Sequence, residues 1–318
     1  MTSLIEQAAL RLEQLRKAGV EVPGVASHRP ESESVSQPIA APAREEPRMP
    51  AAPVSQPVTI DLARVAAAGI AVPGGQRSQL TDQYRVIKRP LLRNATSRGS
   101  SMLTHGNLIM VTSALPAEGK TFTAVNLAMS IAAEMDHTVM LVDADVARAS
   151  IPRVLGIDPG PGLLDVLDGS KELSSVLLRT NVEGLTVLRA GTHHPHATEL
   201  LASDAMHQLL LQMATRYPER IILFDSPPLL LTTEARALAS HMGQVIVVVH
   251  AAKTLQSQVE SALAAIDTCP VRLLLLNQVI GAAEDNYGYA YGYGRGPETD
   301  AVPDSPATFT ATGTGQPA

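Results

Sequence analysis

The sequence lacks most of what would let a fold be stapled rather than packed. Its 318 residues hold one cysteine, Cys269, no tryptophan and three phenylalanines, with aromatics at 3%. A lone cysteine excludes an internal disulfide framework and a multi-cysteine metal site, and it suits a reducing compartment. Scarce aromatics leave any core to Leu, Val, Ile, Ala and Met. Apolar residues at 45% against 18% charged are enough for a sizeable one. Neither sign of charge dominates: the formal balance of −6 gives no overall pull towards nucleic acid or anionic lipid. No run reaches the ~18 apolar residues that a membrane span needs. The opening MTSLIEQAALRLEQLRKAG carries charges throughout and has no apolar export core. These absences predict a soluble, cytoplasmic protein.

What is present divides the chain by composition. Residues 3–19 place Leu4, Ile5, Ala8, Leu12 and Leu15 at three- and four-residue steps among charged residues, which predicts an amphipathic helix within residues 1–24. Residues 25–76 are rich in Pro, Ala, Ser and Glu and bury too little to offset chain entropy, so they are expected to be a linker carrying a second short helix. An echo connects the two segments: LRKAGVEVPG at 15–24 resembles ARVAAAGIAVPG at 63–74. Two copies make no repeat architecture. They are expected to be small docking helices on a flexible arm, the mixed charge speaking against a membrane-surface anchor.

Over residues 77–284 short apolar runs alternate with helical stretches. LIMVT (108–112), TVMLVD (138–143), LTVLRA (185–190), RIILFD (220–225), QVIVVV (244–249) and VRLLLLN (271–277) are strand candidates. Most are apolar at every position, as parallel strands covered on both faces are. Helices are expected at 119–135, 198–216 (with Thr198 as N-cap), 233–241 and 253–267. The alternation implies an α/β fold, a doubly wound and mostly parallel sheet whose site lies at the strands' carboxyl ends. Residues 285–318 form a Gly-, Pro- and Thr-rich tail expected to be disordered.

Three motifs carry chemistry. After the first strand, Ala114-x4-Gly119-Lys120-Thr121 has the form of a phosphate-binding loop with Ala in place of its first glycine. Such a loop must aim backbone amides and a helix's positive end at phosphate oxygens. Gly119 allows close backbone approach, Lys120 supplies charge for the β- and γ-phosphates, and the Thr121 hydroxyl is a Mg²⁺ ligand. The nucleotide-binding set expected here is Ala114, Pro116, Glu118, Gly119, Lys120, Thr121 and Phe122. The next strand ends in Asp143-Ala-Asp145, two carboxylates suited to holding metal or acting as base. The third motif is Asp225-Ser-Pro-Pro228, an acid closing an apolar strand as Mg²⁺-orienting acids do. Together they predict a Mg-ATP site with Thr121, Asp143, Asp145 and Asp225 around the metal.

The tail places Tyr287, Tyr289, Tyr291 and Tyr293 at alternate positions between small residues. A phenol with pKa ~10 is a poor nucleophile at neutral pH, so its attack on a phosphoryl group calls for a nearby carboxylate. Asp143 or Asp145 is placed for that, the other being left for Mg²⁺, with Lys120 completing the catalytic set.

The order of the three motifs resembles the P-loop branch that holds chromosome-partitioning ATPases, septum-placing ATPases and bacterial tyrosine kinases. The partitioning enzymes carry a second lysine four residues before the Gly119 position, and here that residue is Leu115. SALPAEGKT with Asp-Ala-Asp and Asp-Ser-Pro-Pro instead resembles the BY-type protein-tyrosine kinases of polysaccharide export. The stretches Tyr84-Arg-Val-Ile-Lys-Arg-Pro-Leu91 and Thr232-Thr-Glu-Ala-Arg-Ala-Leu-Ala239 are similar to the exosortase-associated tyrosine autokinases. The resemblance covers about residues 80–293. It implies ATP and Mg²⁺ as cofactors, the tail tyrosines as phosphoacceptors, and control of exopolysaccharide synthesis and export. It also implies Asn277 near adenine, a homo-oligomer, a membrane polysaccharide co-polymerase (chain-length regulator) as activator holding the chain near the inner membrane, a tyrosine phosphatase as a further partner, and no nucleic acid. Asp82-x-x-Arg85-x-x-Lys88 is similar to a Glu-x-x-Arg-x-x-Arg helix that packs against the neighbouring subunit in ring-shaped relatives. Departures are Ala147 and Ala149, where relatives carry Arg and Pro, and about 25 residues following the tyrosines.

Other features compete for attention. Residues 77–98 hold six Lys/Arg against one acid, a pattern that could bind phosphate or anionic lipid. His193, His194 and His196 crowd one loop without a cysteine or acid at ligand spacing. Cys269 reads as structural. The alternative function is a partitioning-type ATPase, a nucleotide-switched scaffold without kinase activity, and the third is a nucleic-acid binder using the basic segment. Leu115 and the tyrosine run favour the kinase, and the overall negative charge disfavours the binder.

Overall fold

The fold was obtained as a computed structural model that describes residues 55–97, 103–216 and 219–280. The chain divides into units 1–51 and 52–318, and every described residue belongs to the second. The expected N-terminal helix and the four tail tyrosines lie outside the described residues.

In chain order the elements are β1 (Gln56–Val58), α1 (Leu62–Ala67), α2 (Gln79–Thr96), β2 (Leu108–Ser113), α3 (Lys120–Ala132), β3 (Thr138–Asp143) and α4 (Ile151–Leu155). There follow α5 (Leu163–Leu167), α6 (Leu173–Val176), β4 (Leu178–Thr180), β5 (Leu185–Leu188), α7 (Ala197–Leu201) and α8 (Asp204–Arg216). The last are β6 (Arg220–Asp225), α9 (Thr233–Ala239), β7 (Gln244–His250), α10 (Gln256–Ala264) and β8 (Val271–Asn277). The strands form one sheet in the order β1-β4-β5-β3-β6-β2-β7-β8. Among the described residues only the β4–β5 pair is antiparallel. This is the doubly wound sheet that the alternating pattern predicts.

The central strands are apolar at every position because both of their faces are covered. Ile109, Val111, Leu141, Leu223 and Ile246 join one buried cluster, and their alternates Leu108, Met110, Val142, Phe224 and Val247 join the other. Strand β2 is buried along its whole length. At the sheet edge this breaks down. In β8, Leu273 and Leu275 pack inward while Leu274 and Leu276 stay 56% and 61% exposed. Helix α10 packs on β7 rather than over this edge.

Three sequence expectations need correction. The linker assigned to 25–76 is too long at its C-terminal end, because residues 56–72 are built into the fold. β1 adds to the sheet beside β4, and α1 is the expected second helix, N-capped by Asp61, whose carboxylate accepts from the Arg64 N–H at 3.1 Å. Ile60, Val65 and Ile70 are buried in the core cluster around α3, and the Asn126 side chain accepts from the Ala71 N–H at 2.9 Å. The stretch reads as linker because it is Ala-rich and follows a Pro-rich run, but its large apolar residues Val58, Ile60, Leu62, Val65, Ile70 and Val72 all pack on the core. The helix expected over 198–216 is two helices broken at 202–203. His196, not Thr198, occupies the N-cap position of the first, and the Ser203 hydroxyl accepts from the Met206 N–H at the start of the second.

Lys88 is the third correction. The resemblance places it on a subunit-facing surface, yet it is buried, donates to the Ser130 carbonyl near the end of α3 and pairs with Glu134 at 2.6 Å. A cation there meets the negative end of α3, and Glu134 in turn is held below its ordinary pKa by that hydrogen bond. Asp82 and Arg85 do face solvent and pair with each other at 3.1 Å.

If the 56–72 segment is part of the folded domain, truncating its largest fully buried side chain, Ile60, must cost as much as a core truncation. Ile60→Ala is expected to lower unfolding free energy by about 2–4 kcal/mol in urea titration; a loss below ~0.5 kcal/mol would return the segment to the linker.

Candidate active site

The three motifs meet at the carboxyl ends of three adjacent strands, because β6 lies between β2 and β3. Asp143 and Asp225 are directly paired across β3 and β6, and Val111 pairs with Asp225 from the other side. Two acids are therefore fixed side by side beneath the loop that follows β2. Asp145, two residues beyond Asp143, is also buried, as is Lys120 at the first position of α3.

The loop is held by its own side chains and by neighbours. Glu118, expected among the nucleotide-binding residues, has its carboxylate engaged inside the loop: one oxygen accepts from the Leu115 N–H at 2.7 Å and the other from the Thr254 hydroxyl. Asn277 donates to the Glu118 carbonyl at 3.0 Å and Gln278 to the Ala117 carbonyl at 3.3 Å. Gly119 is left-handed, with φ of 94°, and a Cβ on it would stand 2.1 Å from the Asn277 amide nitrogen. Only glycine satisfies both demands. The Phe122 side chain packs on the core cluster, leaving its backbone as the part free for a ligand. Ala114 is buried, and its carbonyl accepts from the Leu230 N–H beyond the Asp225-Ser-Pro-Pro turn. Leu115, in the trans-lysine position of partitioning ATPases, is packed on the core.

Electrostatically the pocket is unbalanced. One Asp143 oxygen accepts from the Ser150 and Ile151 N–H groups, both at 3.0 Å. Its other oxygen and both oxygens of Asp225 are buried without a hydrogen-bond partner. Burial first, and then the facing Asp225, push the Asp143 pKa up to about 8. Burial likewise raises Asp225 to about 7, against the pull of Thr121 and Lys120. Asp145 is raised by burial, with Lys120 opposing. Orphaned buried carboxylate oxygens are costly unless a cation or proton arrives. This donor set, hard oxygens from Asp143 and Asp225 with the Thr121 hydroxyl nearby, fits Mg²⁺, and Lys120 with the free amides at the start of α3 fits phosphate.

Sequence reasoning missed the residues that steady these groups. Ser150 contributes both its N–H to Asp143 and its hydroxyl to the Thr121 hydroxyl at 3.0 Å. A serine two residues before Pro152 is a helix-start signal that could have marked it. Thr254 and Gln278 carried no local signal. His193, His194 and His196 sit in the turn before α7, where the His196 N–H donates to the His194 ring at 3.1 Å. Cys269 is buried, its thiol pushed up by desolvation.

Comparison with known proteins adds what geometry alone does not. The chain is 30% identical over 215 residues to the tyrosine-protein kinase YwqD of Bacillus subtilis, covering 67% of this chain and 87% of that one. The chain belongs to the bacterial P-loop tyrosine-protein kinases. To the tyrosine-protein kinase ptk of Acinetobacter johnsonii this chain is 34% identical over 175 residues, 54% of its own length and 24% of that longer relative. Among solved structures, the VpsO kinase domain superposes with a TM-score of 0.52 at 27% identity, covering 62% of this chain and 95% of that one. No family model matches the sequence. Among the described residues no helix is long and apolar enough to cross a membrane.

The raised acids give a signed pH dependence. The unfolded chain loses these protons near pH 4, whereas the folded protein keeps them towards pH 7–8. The folded state binds more protons in that window, so metal-free stability falls as pH rises through it. Binding of Mg-ATP at pH 7 is then expected to release protons, seen as a buffer-dependent heat in calorimetry. Equal heats in buffers of different ionisation enthalpy would contradict the raised pKa values.

Proposed function

We propose that the kinase is an ATP- and Mg²⁺-dependent autokinase that phosphorylates its own Tyr287, Tyr289, Tyr291 and Tyr293 and thereby regulates exopolysaccharide synthesis and export. The observation that carries this reading is the facing pair Asp143 and Asp225, with three of their four buried oxygens unpartnered, beside a buried Lys120. The tail supports it by proximity in sequence. Strand β8 ends at Asn277 against the phosphate loop, and the ten residues from there to Tyr287 span at most about 35 Å when extended. The first phenol is within reach of its own site or a neighbour's.

In this reading Lys120 and the start of α3 hold the triphosphate, Ala114, Pro116, Glu118, Gly119 and Phe122 shape its cradle, and Asn277 borders the base. Asp143 and Asp225, with Thr121, hold the metal. Mg²⁺, when bound, neutralises charge on the phosphate oxygens. Asp145, less deeply buried than Asp143, accepts the proton of the incoming phenol. The phenolate oxygen forms a bond to the γ-phosphorus, the bond to the β–γ bridging oxygen breaks, and ADP leaves. Positioning and charge stabilisation supply the rate, with no covalent enzyme intermediate.

The resemblance to the BY-type tyrosine kinases makes polysaccharide export the fitting context. In that context the activator is a membrane co-polymerase acting on a homo-oligomer near the inner membrane, with a tyrosine phosphatase as counterpart. The domain limits that go with this are a kinase domain from about residue 55 to 284 and a substrate tail over 285–318. Membership of the exosortase-associated branch rests on the stretches at 84–91 and 232–239. A partitioning-type scaffold is disfavoured because a core leucine occupies its trans-lysine position.

Intact-mass measurement of the pure chain with Mg-ATP tests the proposal. Additions of single phosphates are expected, decreasing in number as the four tyrosines are replaced by Phe. Lys120→Met should reduce phosphorylation at least 100-fold. ADP release with unchanged mass would sink the kinase reading in favour of the switch.

A further inference from the structure

At the opposite end of the sheet, the amino ends of β2, β7 and β8 surround a cavity of about 250 Å³ that the kinase chemistry does not use. Three of the chain's nine histidines line it: His105 before β2, His207 on α8 and His241 before β7. The His207 and His241 rings lie 4.6 Å apart, with their Nδ1 atoms separated by 3.1 Å. All three imidazoles are half-buried and open to solvent.

Two features suggest that this grouping is more than incidental. His105 is left-handed, with φ of 54°, an unfavourable conformation for a residue with a side chain. The turn that holds it is pinned by the Leu108 N–H donating to the His105 carbonyl at 2.9 Å and by Gly243, where a Cβ would meet that carbonyl at 2.2 Å. The second feature is the nitrogen pair itself. A separation of 3.1 Å suits two imidazoles converging on one ion at the usual zinc–nitrogen length of about 2.0–2.1 Å. Burial, then His207 and His105, hold the His241 ring below its ordinary pKa, in the neutral form that ligates metals.

We propose that His207 and His241 form a bis-imidazole site for a divalent transition-metal ion, with His105 facing it across the cavity. Among the described residues no three His, Cys, Asp or Glu side chains are grouped closely enough to hold a metal on protein ligands alone. Water therefore completes the coordination. Imidazole nitrogens select Zn²⁺, Cu²⁺ or Ni²⁺ over Mg²⁺, so this site and the carboxylate site do not compete for one ion. A bound ion ties α8 to the start of β7.

The test uses the full, untagged chain with His193, His194 and His196 replaced by Gln, so that the surface loop contributes nothing. Titration with ZnCl₂ without nucleotide is expected to show about one saturable equivalent per chain and a zinc-dependent rise in melting temperature. His207→Gln and His241→Gln, each checked for folding by circular dichroism, should weaken zinc binding at least tenfold and remove that rise. Saturating Mg²⁺, which the carboxylate site takes, should neither displace this zinc equivalent nor restore zinc binding in the two variants. No saturable zinc binding by the parent, or equal binding by both folded variants, would overturn the proposal and leave the pair as an ordinary imidazole hydrogen bond.

Discussion

Two carboxylates held opposite one another in a parallel sheet, with no hydrogen-bond donor for three of their four oxygens, are the constraint on which this molecule turns. Burying like charges side by side destabilises the empty protein unless protons or a cation intervene. The strand order makes the conflict unavoidable: β6 sits between β2 and β3, so the acids ending β3 and β6 must converge below the loop that ends β2. Lys120 answers part of the negative charge. The rest is what gives the pocket an appetite for a divalent ion.

The loop over these acids is clamped before any nucleotide arrives. Glu118 joins it to itself and to Thr254 after β7, while Asn277 and Gln278 hold it from the end of β8. Beneath it, Ser226 bonds through N–H and hydroxyl to the Val111 carbonyl, and the Leu229 and Leu230 N–H groups reach the Ser113 and Ala114 carbonyls. Amides fixed in advance need no reorganisation when phosphate charge develops. Strain at Ala117, a non-glycine residue with φ of 63°, is the cost of that readiness.

The sheet and the chemistry were legible in the sequence because both are local. A strand covered on both faces is a short apolar run, and an acid or a Gly-Lys-Thr at its end needs no knowledge of the rest of the chain. What could not be read depends on distant partners. Ile60 finds its place only when Asn181, 121 residues later, bonds its backbone. Lys88 looks like one more surface cation until α3 ends beside it. Leu274 and Leu276 look like interior residues because hydropathy does not say which strand will be last in the sheet. Thr254 and Gln278 act on the phosphate loop from more than a hundred residues away.

The place of β1 at the sheet margin has a consequence for the order in which the chain assembles. The first described strand to leave the ribosome pairs with β4, whose residues emerge about 120 positions later. Ile60, Val65 and Ile70 have α3 to pack on earlier, but the bonds between Asn181 and the Ile60 backbone and the β1–β4 pairing must wait, and closing so long a loop is slow. The marginal strand therefore completes its pairing only after the central strands β2 and β3, which lie between β1 and β4 in sequence, have been made.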